Sequence, residues 1–353
     1  MHTFLKLTIS AVASLGILPE SSEKRFDEND FKVLEQTAKD QEFTGAMAIF
    51  QGNQLVFNYS SGEANAETSL ANGLDVRFNV GSIGKSLTSI LVFRQVETGN
   101  IDLDQTVDQY LPESERVPND SLITVRHLLT NTSGLGDFFE SPEYVEGKRY
   151  DVSSLFSLVQ KMPLIKDRPG TGLDYSNSGF IVLGRILEHI HGKPYQSIVQ
   201  EELLNPLNIN YSKPSPLASG WKLENETWTL GEGNDPESWS SAGGIFLSIE
   251  ELHRLISFLV KDGYLKQGTK ELMWTPQVQP AHEPPFVHYA FGWMVEKPQD
   301  LHFIGHNGGV RGFQAAFRYL PQSDTYIYTF SNRENGAEGL FMKALMQLIE
   351  KAG

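Results

Sequence analysis

The chain has 353 residues and no cysteine, and its 44 acidic and 29 basic side chains give a formal net charge of −15. The acidic excess argues against nucleic acid or an anionic membrane as the main partner, since both select a basic surface. The absence of cysteine excludes disulfides, thiolate nucleophiles and cysteine-ligated zinc sites. A hydrophobic content of 40%, with 21 Phe and 12 Tyr, predicts a folded chain rather than a disordered one.

The start of the chain has the pattern of a signal peptide. Lys6 precedes an apolar run over residues 7–18 that contains several small residues, and this run is too short to span a bilayer. An ordinary N-terminal helix is the alternative. We predict that residues 1–20 are a signal peptide, that the protein is exported to the periplasm or the medium, and that the mature chain, residues 21–353, has no integral membrane segment.

Strand patterns cluster near both ends of the chain. Residues 44–64 form two predicted strands, and the pair Gly52-Asn53 between them is a hairpin signal. Three more strand-like runs lie at 289–296, 302–308 and 313–332.

Helical patterns fill the middle of the chain and its last residues, with Thr124 and Ser248 as predicted N-caps. The predicted architecture is therefore α+β: an antiparallel sheet built from both chain ends and flanked by helices, with an all-helical insert. We place the sheet part at about 21–78 and 241–353 and the helical part at about 79–240, all in one unit. A site is expected between the two parts, where pockets tend to form.

The segment Phe78–Asn100 carries Ser82 and Lys85, whose i, i+3 spacing puts them on one face of a helix. The rest of the segment is apolar over more than one stripe, which predicts a buried helix that ends at Gly99. Backbone N–H groups and the helix dipole favour negative charge developing at Ser82. A capping serine with a snorkelling lysine is the structural alternative. GSIGKS also looks like the end of a phosphate-binding loop, but Asn79 stands where that loop needs its first glycine.

Two more short motifs follow, Tyr-Ser-Asn at 175–177 and His-Asn-Gly at 306–308. Each motif is weak alone, but their order and their placement at a helix start, a loop and a strand are specific. With them the chain resembles the serine β-lactamase-related family, which includes class C β-lactamases, D-alanyl-D-alanine carboxypeptidases and esterases of the same fold. The stretches FNVGSIGKSLTS, ITVRHLLTNTSGL and PGTGLDYSNSGFIVLGRILE carry the resemblance, which covers about residues 30–345.

The resemblance implies roles for four side chains. Ser82 is the expected nucleophile, which forms an acyl-enzyme. Lys85 is expected to accept its proton, which requires a partly deprotonated amine. Tyr175 is expected to act as general base and proton shuttle toward the leaving group. Asn177 is expected to orient the substrate or Lys85.

The motif His-Asn-Gly at 306–308 marks the remaining part of the site that the resemblance implies. The resemblance implies an oxyanion hole made of the backbone N–H groups of Ser82 and Gly309, just after Gly308. β-lactamases and penicillin-binding proteins usually carry Lys-Thr-Gly where this chain has His306 and the two residues after it. That lysine binds a substrate carboxylate, whereas a histidine with a pKa of about 6.5 is largely neutral above that pH. The difference weakens the case for a β-lactam or D-Ala-terminated substrate and resembles the esterase and peptidase-like members of the family.

We therefore predict a serine hydrolase that acts through an acyl-enzyme on Ser82, with esterase activity on small or medium acyl esters. A β-lactamase or D,D-peptidase acting on β-lactams or D-amino-acid peptides stays open, as does a catalytically silent binding protein of the same fold. The expected partner is a small-molecule or peptide substrate, and no nucleic acid, cofactor or metal is expected, since no His-Glu-x-x-His motif or carboxylate–histidine cluster occurs. Residues 136–170 and 210–240 are expected to wall the pocket, and the oligomeric state is left open.

Overall fold

The computed structural model describes residues 26–211, 216–261, 263–281, 283–334 and 336–352. The predicted signal peptide at 1–20 lies outside these residues. Within them, none of the helices has the length and apolar character needed to cross a bilayer.

The described residues form an α+β structure. The helices are α1 (Glu28–Asp40), α2 (Gly84–Thr98), α3 (Val125–Leu129), α4 (Val152–Val159), α5 (Asn177–His191), α6 (Tyr195–Val199), α7 (Ile249–Lys261), α8 (Gln267–Met273) and α9 (Glu338–Ala352). The strands are β1 (Gly45–Gln51), β2 (Gln54–Ser61), β3 (Glu63–Asn65), β4 (Leu70–Ala71), β5 (Phe78–Asn79), β6 (Trp221–Glu224), β7 (Thr227–Leu230), β8 (Phe246–Leu247), β9 (Val287–Tyr289), β10 (Met294–Glu296), β11 (Phe303–Val310), β12 (Phe313–Leu320) and β13 (Thr325–Ser331).

The main sheet joins the two ends of the chain, as predicted. Its strand order is β2-β1-β13-β12-β11-β10-β9, and neighbouring strands are antiparallel. The hairpin between β1 and β2 turns at Gly52, whose φ is +57°. The central pairing of β1 with β13 is the contact that closes the N-terminal hairpin onto the C-terminal strands.

Both faces of the sheet are covered. Along β1, Ala46, Ala48 and Phe50 belong to the core shared with the helical part, whereas Met47 and Ile49 belong to a smaller core on the opposite face. Alternate residues of a strand point to opposite faces, so a strand that is buried on both sides is apolar along its whole length.

The two faces are covered by different helices. The helices α1 and α9 pack against each other and cover the smaller core, into which Leu34 and Leu340 are fully buried. On the other face α7 packs against β1 and β13, and α2 packs against α5. Ser86 and Ser89 of α2 donate to the backbone oxygens of Gly292 and Phe291, between β9 and β10. The buried helix α2, which begins two residues after Ser82, is thus held between this edge of the sheet and α5.

The helical part is not wholly helical, which corrects the prediction of an all-helical insert. The strands β6 and β7 form a hairpin within it. Its turn residues Asn225 and Glu226 have φ of +48° and +64°, the positive values that a two-residue turn matched to strand twist requires. The sequence has no glycine at this turn and the strands carry polar residues, so the pattern looked like a loop.

The run 289–296, predicted as one strand, contains a tight turn. The strands β9 and β10 pair through Tyr289 and Met294, and Gly292 between them has a φ of +77°. The Trp293 side chain is 1% exposed and donates a hydrogen bond to Ser89 Oγ at 3.3 Å. The continuous apolar run hid the turn because the turn itself is buried.

Candidate active site

The Ser82 turn is shaped by close backbone contacts. Ser82 lies in a 3₁₀ turn, Gly81–Ile83, immediately before α2, so it precedes the α-helix instead of lying in its first turn. Gly81 has a φ of +51° and no room for a side chain, because a Cβ there would lie 2.7 Å from Gly309 N. A Cβ on Gly308 would lie 1.9 Å from Val80 O. The turn therefore packs directly on the backbone of β11, which brings Gly309 beside Ser82.

Lys85 is fully buried and its amine has three polar partners. Lys85 Nζ lies 3.0 Å from Ser82 Oγ, 2.6 Å from Asn177 Oδ1 and 2.7 Å from the backbone oxygen of Ala242. The Lys85 amine therefore contacts both Ser82, its predicted partner on the helix face, and Asn177 of the predicted Tyr-Ser-Asn motif. Ala242 lies before α7, in a segment to which the sequence motifs assign no role.

Tyr175 completes the cluster around the amine. Its ring centroid lies 4.9 Å from Lys85 Nζ, and its side chain is 43% exposed. The ring of Tyr289 packs edge-on against it at 6.2 Å. Tyr175 is thus held beside Lys85 while its surface faces the solvent-accessible site.

His306 is buried beneath this cluster and is neutral. Its Nδ1 lies 2.5 Å from the backbone oxygen of Asn307 and its Nε2 lies 3.2 Å from Tyr289 Oη. Since a carbonyl oxygen only accepts, Nδ1 carries the proton and Nε2 accepts from the tyrosine. Burial lowers the pKa of His306 to about 3; the hydrogen bond to the Asn307 backbone opposes this shift and the charge of Arg318 adds to it. The side chain therefore offers no fixed positive charge to a substrate near neutral pH.

Two cavities meet at Ser82. Each has a volume of about 430 Å³, and both are lined by Ser82, Tyr175 and Gly309. The first runs toward residues 138–150 and Leu155, within one segment expected to wall the pocket, and toward residues 232–244, which extend four residues beyond the other. The second runs under β11 and β12 toward α9. A substrate with its carbonyl at Ser82 can thus extend in two directions.

The first cavity has an aromatic wall. Phe138, Phe139, Tyr144 and Tyr150 form a chain of ring contacts with centroid distances from 4.4 to 5.8 Å, and Trp239 also lines this cavity. Carboxylates also line this cavity, and each is paired with a basic side chain: Glu146 with Arg311, Glu232 with Lys222 and Asp235 with Arg149.

The second cavity carries no cation among its lining residues. Apolar side chains from several elements cover much of it, and its polar groups include the neutral His306 and two carboxylates, Glu283 and Glu338. Arg318 lies behind His306, but it is 2% exposed and already donates to Asn307 Oδ1 and Glu296 Oε1. A carboxylate bound in this cavity would meet no free positive charge from the lining.

Comparison with known proteins places this arrangement in a family. A family model described as Beta-lactamase matches residues 31–351. The chain belongs to the beta-lactamase family. A Bacillus subtilis protein named as a penicillin-binding protein, PbpX, is 25% identical over 319 residues, which are 88% of this chain and 76% of the relative.

Solved structures of this beta-lactamase-family fold superpose over most of the chain. A penicillin-binding protein from Bacillus halodurans gives a TM-score of 0.77 at 23% identity, covering 89% of this chain and 98% of that chain. A D-amino acid amidase from Ochrobactrum anthropi gives 0.76 at 18% identity, covering 92% of this chain and 98% of that chain. The α+β architecture is confirmed, and family membership supports a serine hydrolase of the acyl-enzyme type.

The beta-lactamase-family motifs did not reveal all the residues that build the site. Asp137 accepts hydrogen bonds from Asn177, and Asn131 Oδ1 accepts one from the backbone N–H of Ser176 at 3.2 Å. Asn131 lies in the stretch ITVRHLLTNTSGL and Asp137 lies just after it, and that stretch was used only as part of the family resemblance. A polar residue at each of these positions, after the helix end, was the available signal. Among the described residues no group of three or more His, Asp or Glu side chains is arranged to hold a metal.

Proposed function

We propose that this protein is a serine hydrolase that forms an acyl-enzyme at Ser82 and acts mainly on neutral esters. The observation that carries the proposal is the buried Lys85 amine, 3.0 Å from Ser82 Oγ. The neutral His306 supports the preference for substrates without a carboxylate. Membership of the beta-lactamase family supports the general reaction type.

The partners of Lys85 favour its acting as a base. A neutral amine has two N–H groups and one lone pair. The oxygens of Asn177 and Ala242 can only accept, so they take the two N–H groups. The lone pair is then left for the proton of Ser82, which is what activation of the serine requires.

The reaction follows from these positions. Ser82 Oγ attacks the ester carbonyl carbon while its proton passes to Lys85. The resulting oxyanion accepts from the backbone N–H groups of Ser82 and Gly309, which the turn and β11 bring together. The carbon–oxygen bond to the alcohol then breaks, and Tyr175 relays a proton to the leaving oxygen. Water releases the acyl group by the reverse sequence.

The charge of the site favours an ester over a β-lactam. β-lactams and D-Ala-terminated peptides carry a carboxylate, and no residue that lines the second cavity, His306 included, offers it a cation near neutral pH. In the first cavity Lys148 lies over the Tyr150 ring, with its Nζ 4.9 Å from the ring centroid. The aromatic wall formed by Phe138, Phe139, Tyr144 and Tyr150 suits an apolar acyl group, because rings bury large apolar surfaces. β-lactam hydrolysis is kept as the second candidate, because a relative is named as a penicillin-binding protein.

The first test compares the wild type with Ser82→Ala on p-nitrophenyl acetate, p-nitrophenyl butyrate and a chromogenic cephalosporin. We expect ester turnover in the wild type, a loss of about 1,000-fold or more in Ser82→Ala, and no cephalosporin turnover. Ser153→Ala, at an exposed position of α4, is the matched control and should behave as the wild type. Rapid cephalosporin turnover would reverse the order of the two candidates, and silence on every substrate with folded protein would contradict both.

Export is also a proposal. The predicted signal peptide at residues 1–20 would place the mature enzyme in the periplasm or the medium. Fractionation of cells that express the full chain, followed by mass analysis of its N-terminus, tests this. Full-length protein that remains in the cytoplasm would contradict the proposal.

A further inference from the structure

We propose that Asp137 is a positioning residue that fixes the orientation of the Asn177 side-chain amide and, through it, the direction of the Lys85 lone pair. This inference rests on the proposed function, in which Lys85 takes the proton of Ser82. Asp137 lies outside the lining of both cavities that meet at Ser82, so its effect on the reaction passes through Asn177.

Asp137 has three N–H groups around its carboxylate. Its Oδ2 accepts from Asn177 N at 2.9 Å and from Asn177 Nδ2 at 2.7 Å. Its Oδ1 accepts from Phe139 N at 3.1 Å. An ionised carboxylate has only acceptor sites, so all three contacts have the correct polarity.

These contacts leave the Asn177 amide one orientation. Its nitrogen must face Asp137, because an oxygen there would meet another acceptor. Its oxygen must then face Lys85 Nζ, 2.6 Å away. If the amide were reversed, an N–H would point at the Lys85 amine, which would keep Ala242 O as its one fixed acceptor. A second Lys85 N–H could then donate to Ser82 Oγ, and the serine would lose its base.

The carboxylate is itself held in place from both sides. Asn177 is the first residue of α5, a 15-residue helix, and the N-terminus of a helix favours a negative charge. The neighbouring Phe138 N donates to Ser178 Oγ at 2.9 Å, which ties the loop to the same helix turn. The negative charge thus lies one amide group away from the amine that becomes an ammonium when Ser82 attacks the ester carbonyl.

A purely structural role is the alternative, because the same contacts join the loop at 137–140 to α5. The two roles differ in their relation to Asn177. If Asp137 has only a structural role, the loss of acylation rate caused by its removal adds, as a free energy, to the loss caused by removing the Asn177 side chain. A positioning role has nothing left to act on once that side chain is absent, so its effect disappears.

The experiment is a double-mutant cycle on the acylation step. The rate of the p-nitrophenol burst from p-nitrophenyl butyrate is measured by stopped flow for the wild type, Asp137→Ala, Asn177→Ala and the double variant. We expect Asp137→Ala to slow acylation by about 10- to 100-fold, the usual effect of removing an orienting partner, with a much smaller change in KM. The double variant should acylate at the rate of Asn177→Ala alone.

Two further variants provide a conservative substitution and a matched control. Asp137→Asn should lie between the wild type and Asp137→Ala, because one amide oxygen can still accept from Asn177 Nδ2; it also serves if Asp137→Ala does not fold. Asp151→Ala is the matched control: Asp151 caps α4 through Ser154 N at 2.8 Å, and its loss should leave the burst rate unchanged.

The outcomes separate this inference from the proposed function. A folded wild type with neither a burst nor steady turnover contradicts the proposed function itself, whereas steady turnover without a burst means that acylation limits the rate and that kcat reports it. A normal wild-type burst with an unchanged Asp137→Ala rate overturns only the positioning role, as does a double variant in which the two losses multiply.

Discussion

At the scale of single residues, the site depends on which atoms can donate and which can only accept. The motifs predict Ser82, Lys85 and Tyr175 as site residues, and the structure brings their side chains together. The contacts of Ala242 and Asp137 were not predictable, because a backbone oxygen has no sequence signature and a lone carboxylate after a helix looks like an ordinary cap. Ala242 contacts Lys85 and Asp137 contacts Asn177, residues far away in the chain.

Tyr289 gives a test at this scale. Burial raises the pKa of its hydroxyl well above the usual value, so the hydroxyl keeps its proton and donates to His306 Nε2. We expect Tyr289→Phe to leave a buried acceptor without a partner and to lower the free energy of unfolding by about 1–3 kcal/mol. Urea denaturation at pH 7, followed by tryptophan fluorescence, measures the change.

Tyr264→Phe is the control for the loss of a buried tyrosine hydroxyl. Within the part of the chain that the structure describes, Tyr264 Oη has no hydrogen-bond partner, so its removal should change the free energy of unfolding by less than Tyr289→Phe does. Equal losses in the two variants would show that the contact with His306 contributes nothing of its own.

At the scale of elements, long periodic segments were predicted well and buried turns were not. The helix after Ser82 ends at Gly99, as its sequence indicates, because a glycine with φ of +77° forms the C-cap. The β6–β7 hairpin and the turn at Gly292 were missed. In both, tertiary packing stabilises a turn that the local sequence does not predict.

Gly99 allows backbone strain to be measured without steric clash. A Cβ added at Gly99 meets no atom within 4 Å, and the same holds for Gly268 near the start of α8. We expect Gly99→Ala to destabilise the protein by about 1 kcal/mol, because alanine is strained at a positive φ. Gly268→Ala should stabilise it by about 0.5–1 kcal/mol, because alanine loses less backbone entropy in a helix.

Thermal or urea denaturation of the two variants side by side decides this prediction. Opposite signs for the two alanines support the C-cap at Gly99. Two changes of the same sign and size would mean that the αL conformation of Gly99 is not what ends the helix.

At the scale of the whole molecule, the sheet brings distant parts of the chain together. Composition and the clustering of strands at both ends predicted its antiparallel, two-ended construction. They could not predict the strand order or the register that places Gly308 against the Val80 carbonyl, because a strand pattern does not identify its partner. The same sheet buries titratable groups at its centre, which links global stability to pH.

His253 on α7 is the clearest of these groups. Its ring stacks on Phe50 of β1 at 3.8 Å, and its Nδ1 lies 3.2 Å from Tyr328 Oη of β13. Burial lowers its pKa to about 4; the charge of Lys261 lowers it further and that of Asp324 opposes the shift. The histidine is therefore neutral in the folded protein at a pH where the unfolded chain, with a pKa of about 6.5, already binds a proton.

This difference in proton binding makes the folded state less stable as the pH falls. The unfolded chain binds more protons below pH 6.5, so the free energy of unfolding decreases from there toward pH 4. For a folded pKa of about 4, the loss at pH 5 relative to pH 7 is about 2 kcal/mol from His253. His306, with a pKa of about 3, and His302, whose burial lowers its pKa to about 4, add similar amounts. Urea denaturation at the two pH values measures the sum.

His253→Gln should reduce the pH-dependent loss by about 2 kcal/mol whatever its stability at pH 7. An unchanged difference between the two pH values would mean that His253 binds its proton equally well in the folded and unfolded chains.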